Sequence, residues 1–278
     1  MKQILLIAAG LLIGLSINAQ TIIKDKEYVS GKWKKSKSPY IIEGEAKIAE
    51  GKTLKIKPGV VVKFRTGDKR DYPKTNVGFL RVNGTLIAEG TADNMITFTR
   101  DGQYGNWGVV QFDSKSKESV MKYCKLEYSK FIRTIVEGDN ATGTISVYKG
   151  YAKITNCLII KGWAGINCKM GAYPLIKNNV IASNNYGLEC NSGSKPEVIN
   201  CILWNNQKAT FYNNGESLPT LSHSLIGENP AKYGLADDGT NMIGRDPMFI
   251  SESGDDYKLK SNSPCKGKGK GGANMGAF

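Results

Sequence analysis

Histidine is nearly missing: His223 is the only one in 278 residues. A nucleophile–histidine–carboxylate triad would have to be built on it, and no nucleophile motif surrounds any serine. His223 reads instead as a corner or buried polar residue. The six cysteines include no CxxC pair, so a zinc site lacks a ligand set. Clustered carboxylates are scarce too. Asp237-Asp238 and Asp255-Asp256 fall outside any repeat, and adjacent strand residues point to opposite faces. Glu189 and Glu197 have no acidic residue at the repeat spacing. Neither the calcium carboxylates of a lyase nor the paired carboxylates of a hydrolase is therefore visible. No EF-hand loop or calcium-binding nonapeptide occurs. No metal or cofactor is expected. Long apolar runs are confined to residues 4–15, so no membrane span is expected in the remainder.

What is present is a repeat. Ile154-Thr155-Asn156-Cys157-Leu158-Ile159, Ile176-Lys177-Asn178-Asn179-Val180-Ile181 and Val198-Ile199-Asn200-Cys201-Ile202-Leu203 align at a spacing of 22 residues. The spacing continues through Gly165/Gly187, Ile166/Leu188 and Cys168/Cys190. A fixed period of this length indicates stacked coils that bury their apolar faces against one another. Short runs of Ile, Val and Leu broken by Gly, Asn and Pro are strands, and no amphipathic run of helical length appears. Ile154 and Ile159 lie five apart, so a straight strand would point them to opposite faces. If both face one interior, the chain turns a corner between them, at Asn156, Asn178 and Asn200. Asparagine tolerates left-handed backbone geometry, and stacked amides can bond one another. The spacing thus predicts an all-β parallel β-helix with an amide ladder at Asn156, Asn178 and Asn200.

In chain order, residues 1–19 read as a secretory signal peptide, with Lys2 ahead of the apolar run and a small residue before Gln20. Residues 20–278 form a single exported domain on this reading, destined for the periplasm or the exterior. The lysine-rich stretch 20–39 is expected to cap the solenoid, 40–226 to form the coils and 227–278 to close it.

Both ends of the coil region carry a resemblance. Gly51-Lys52-Thr53-Leu54-Lys55-Ile56-Lys57-Pro58-Gly59-Val60-Val61-Val62-Lys63-Phe64 and Gly84-Thr85-Leu86-Ile87-Ala88-Glu89-Gly90-Thr91 resemble the N-terminal coils of bacterial right-handed parallel β-helix repeat proteins of the pectin-lyase-like fold. Asp246-Pro247-Met248-Phe249, Asp256-Tyr257-Lys258-Leu259 and Met275-Gly276-Ala277-Phe278 are similar to the closing segment of that group. The resemblance implies a right-handed helix and export. It implies no single activity, because lyases, hydrolases and non-catalytic adhesins share the scaffold.

Arg133, Lys153, Lys161 and Lys169 are the remaining candidates for a lyase base, which would need a pKa lowered by burial or nearby cations. Trp163, Tyr186 and Trp204 could stack on sugar rings but share no column. Cys168 and Cys190 lie one coil apart, within reach of a disulfide; the others read as buried free thiols. Charge is concentrated at the N-terminal end, with fifteen basic against seven acidic residues in 24–74. There Trp33, Lys34, Lys35, Lys55, Lys57, Lys63 and Arg65 are the candidate ligand-binding residues, unless they only keep the solenoid end soluble and unpaired. The expected function is that of an exported non-catalytic β-helix protein, holding a glycan or envelope surface or serving as a rigid module. The alternative is a lyase or hydrolase of uronic-acid polysaccharides. Acidic polysaccharide or an envelope component is the expected partner, nucleic acid is not, and the sequence leaves the oligomeric state open.

Overall fold

The computed structural model describes residues 20–67, 77–113, 118–130, 132–133, 140–214 and 216–278. The leader expected at 1–19 lies outside them. Short β-branched runs alternate inward and outward side chains and end where the backbone turns left-handed. Each run is a strand and each ending a corner. Three parallel sheets follow, here A, B and C in the order the chain visits them, of ten, eight and eight strands. One coil comprises Leu158–Ile160 in sheet A, Ala164–Lys169 in sheet B and Leu175–Lys177 in sheet C; the next repeats it with Val180–Ala182, Tyr186–Cys190 and Glu197–Ile199. Ile154 pairs with Ile176, Ile159 with Ile181 and Cys168 with Cys190, the register that the repeat requires. Ile154, Ile159 and Ile166 are fully buried in one continuous core. The parallel β-helix is as expected.

Its start is not. Residues 20–39, expected as a cap, are the first coil: Thr21–Ile23, Glu27–Tyr28 and Gly31–Trp33 add one strand to each sheet. Ile23, Val29 and Trp33 point into the core between exposed lysines. The other end also extends past residue 226, because Met242–Ile243 pairs with Leu225–Ile226 in sheet A. Residues 249–277 then fold back along the side of the solenoid. Phe249, Tyr257, Cys265, Met275 and Ala277 cover Leu158, Ile160, Val180, Ala182, Ile202 and Leu225, the outward apolar residues of sheet A. This strap is pinned by Lys161 to Asp255 (2.6 Å) and by Ser183 and Asn205 to Glu252 (both 2.9 Å).

Three columns of residues turn the corners. Asn156, Asn178 and Asn200 (φ 54°, 55° and 54°) lead from sheet C to A, Lys161, Ser183 and Asn205 (55°, 55° and 48°) from A to B, and Lys149, Met170 and Ser192 (51°, 55° and 54°) from B to C. His223 (φ 49°) continues the first column, with Nδ1 buried and unpartnered. The amide ladder expected at Asn156, Asn178 and Asn200 is not there. Asn178 donates to the Asn274 carbonyl at 3.4 Å, and Asn200 accepts from the Lys270 N–H at 2.6 Å, so both side chains serve the strap. A left-handed corner residue projects its side chain outward, and the next residue turns in. Accordingly Asn179 is fully buried, accepts from the Cys157 N–H and donates to the Ile154 carbonyl, both at 2.8 Å. The stacked amides are Asn184 and Asn206, bonded side chain to side chain at 3.2 Å, with Asn184 also accepting from the Gly162 N–H at 2.8 Å.

The Cys168–Cys190 disulfide is likewise absent: all six cysteines are free and buried. Burial pushes the Cys190 thiol well up, helped by its hydrogen bond to the neighbouring Cys168, and lifts Cys201 to about 12. Thiols held protonated in this way are inert core fillers.

Candidate functional site

The N-terminal basic residues do not form one patch. Trp33 is buried and stacks on Tyr40 with ring centroids 4.4 Å apart, so its face is not open to a ligand. Lys63 and Arg65 lie on strand Val61–Arg65 of sheet A and are neutralised by Asp101 (3.6 Å) and Glu43 (3.9 Å). Lys55 belongs to sheet C, with Lys57 just beyond its strand, on a different face of the solenoid. Lys34 and Lys35 are exposed between the first two coils, and the Lys35 stem lies over Gly59. Sequence adjacency grouped residues that the corner at 57–60 separates.

The proposed bases are scattered as well. Arg133 lies in the short strand Ile132–Arg133, paired antiparallel with Asn140–Ala141; its side chain is outside the described residues. At Lys161 burial works to lower the pKa, but the hydrogen bonds and charges of Asp255 and Tyr128 outweigh it and hold the ammonium above its usual range. That is the wrong direction for a base. Lys169 ends its strand in sheet B near Glu189, whose charge it stabilises. Lys153 opens into a groove.

That groove, of about 520 Å³, crosses the outer face of sheet C. Register builds it. Glu89, Lys122, Thr155 and Lys177 form one row across four coils, and Val120 and Lys153 lie in the row two residues back. Inward Ala88, Met121, Ile154 and Ile176 alternate with them, which is why these polar residues face out. Asn156 and Asn178 complete the lining at the corner. Lys122, Lys153 and Lys177 are exposed, and none forms an ion pair among the described residues. In water two like charges even about 4 Å apart repel by only about 1 kcal/mol, so exposed ammonium groups on neighbouring strands coexist without a bound anion. Just before the Lys153 and Leu175 strands, Tyr151 and Tyr173 meet with ring centroids 5.6 Å apart at an interplanar angle of 42°. Three cations, two amides and a pair of aromatic rings can thus meet one elongated ligand.

The chain carries a signal for this groove: Lys122 lies 33 residues before Thr155 and Thr155 lies 22 before Lys177, and these offsets are the coil register of sheet C. Among the described residues no three of His, Cys, Asp or Glu converge as a metal site, and no helix is long and apolar enough to cross a membrane. A family model described as the right handed beta helix region matches residues 93–246. No curated protein and no solved structure matches the chain.

Proposed function

Because the chain belongs to the right-handed β-helix family, whose scaffold presents flat parallel sheets to solvent, we propose that it is an exported, non-catalytic protein that holds an acidic polysaccharide across sheet C. One observation carries this reading: Lys122, Lys153 and Lys177, from three successive coils, open unpaired into a single groove. A rigid zigzag of cations, with Lys122 and Lys177 two strand spacings apart in one row and Lys153 between them in the row two residues back, suits a polymer with repeated carboxylates, and clustered charge raises the local concentration of such an anion. Tyr151 and Tyr173 favour sugar rings over a compact anion, because their faces offer apolar contact beside the charges. The scattered bases and the raised pKa of Lys161 favour binding over cleavage.

The test is binding to polygalacturonate and alginate at rising salt. The expected result is an affinity that falls steeply with ionic strength and is lost in the Lys153→Glu, Lys177→Glu double variant. A double variant that binds as the parent does at low salt overturns the groove assignment. Release of unsaturated sugar ends that Lys153→Ala abolishes would overturn the non-catalytic part alone.

A further inference from the structure

Sheet B carries a second surface of different chemistry. Trp163 precedes the strand Ala164–Lys169, Tyr186 opens Tyr186–Cys190, and Tyr212 lies in Ala209–Asn213. The spacings in sequence are unequal, yet the side chains lean together. Ring centroids are 6.1 Å apart from Trp163 to Tyr186 and 5.8 Å from Tyr186 to Tyr212, at interplanar angles of 59° and 60°. The row spans three coils. Tyr212 is 55% exposed, and Trp163 and Tyr186 are half-buried. The exposed Lys208 reaches back so that its ammonium lies 4.6 Å from the Trp163 centroid and 5.6 Å from that of Tyr186.

Charge on this face is mixed in sign. Glu189 pairs in register with Tyr212 and is met by the charge of Lys169, while Glu228 accepts from the Thr210 N–H at 2.9 Å and pairs with Lys232 at 3.7 Å; Lys208 lies over the rings. Carboxyl groups interspersed with the lysines disfavour a polyanion here. The three rings instead offer apolar surface repeated at an interval close to the coil spacing, together with two phenolic hydroxyls and an ammonium as hydrogen-bond groups. The tilt between successive rings suits a ligand whose units twist along its length, rather than flat bases stacked in parallel. From this we infer that sheet B holds a second site, for an uncharged oligosaccharide, whose pyranose faces pack on Trp163, Tyr186 and Tyr212 while Lys208 donates to ring hydroxyls. The site goes beyond the sheet C reading and does not depend on it. With both occupied, the solenoid joins two chemically distinct chains.

The experiment titrates the full chain with cellohexaose and mannohexaose, following tryptophan emission and heat. Trp33 and Trp107 are buried and Trp204 packs against the strap, so loss of the signal in Trp163→Phe identifies the reporter. The expected result is saturable binding of at least one hexasaccharide, insensitive to salt and unchanged in the Lys153→Glu, Lys177→Glu variant. Tyr186→Ala should weaken it about tenfold, equivalent to ~1.4 kcal/mol, while Tyr186→Phe, which keeps the ring, should retain it. No saturation with either sugar at millimolar concentration, or equal affinity in a folded Tyr186→Ala variant, overturns the site. Salt-sensitive binding of a single-stranded oligonucleotide by the same rings, in place of the sugars, overturns the ligand class.

Discussion

The two neighbouring asparagines of one coil make opposite predictions. Asn179 is fully buried, and its amide satisfies the Cys157 N–H and the Ile154 carbonyl, both at 2.8 Å. Asn179→Ala removes both partners at once from the dry interior, where no side chain can replace them. Each orphaned buried group costs about 1–3 kcal/mol, so the loss should be at least about 2 kcal/mol on that basis. Asn178 is different. Its side chain makes one long bond, 3.4 Å to Asn274, and its φ is 55°. What matters there is the left-handed backbone, which costs an ordinary residue about 1–2 kcal/mol and costs glycine nothing. The expected order of stability is therefore parent and Asn178→Gly nearly equal, Asn178→Ala lower, and Asn179→Ala and Asn179→Gly lowest. Urea unfolding followed by circular dichroism measures it, provided the slope with denaturant is unchanged. In a chain near this size each kcal/mol moves the melting temperature by about 2–4 °C. If Asn178→Ala and Asn178→Gly both destabilised as much as Asn179→Ala, the outward corner amide would be bearing the coils together and the reasoning would fail.

Two further outcomes follow from the outer faces of the sheets. Deleting residues 246–278 should expose Leu158, Ile160, Val180, Ala182, Ile202 and Leu225 together, giving strong dye binding and aggregation in light scattering while the far-ultraviolet spectrum stays β-rich; a monomeric, dye-silent truncation would refute the account of the strap. Burial raises the Glu189 pKa despite the hydroxyl of Thr142, the charge of Lys169 and the amide of Asn167, so the folded state binds its proton more tightly than the unfolded state does. Its contribution is then most favourable below the unfolded carboxylate range and is lost as pH rises through the folded pKa. Glu189→Gln, which can still accept both hydrogen bonds, should stabilise at neutral pH and have little effect in acid; equal unfolding midpoints at pH 7 would contradict this.

The coils from residue 152 to 204 were legible because one unit recurs there at a constant 22 residues, so a column in sequence is a column in space; beyond it the register slips by one, with Tyr186 pairing with Ala209. The Asn corner followed from the odd spacing between Ile154 and Ile159. The ladder was misplaced by one residue, because the left-handed turn that asparagine permits also sends its own amide outward. The first coil was hidden by strand length: Glu27–Tyr28 has two residues, too few to show alternation. The strap could not be read, since its anchors join residues such as Lys161 and Asp255 or Asn178 and Asn274, almost a hundred positions apart with no shared pattern. The sheet C lysines obeyed the column rule, whereas Trp163, Tyr186 and Tyr212 meet through side-chain lean, which no backbone period encodes.

The strap also bears on how a gene of this kind can change its length. Tandem units of 22 residues invite unequal recombination, and most solenoids should tolerate gaining or losing one. Here the anchors at Lys161, Ser183, Asn200 and Asn205 fall on successive coils, and their partners occupy one continuous stretch of chain. A unit duplicated between Lys161 and Asn205 would separate those anchors by one further strand spacing, about 4.8 Å, and the strap could no longer reach them all. Among the described residues no coil before residue 158 is hydrogen-bonded to the strap, although Met95 packs against its apolar cluster. The C-terminal tail thereby acts as a ruler, holding the copy number of the most regular repeats constant and leaving variation in length to the N-terminal half.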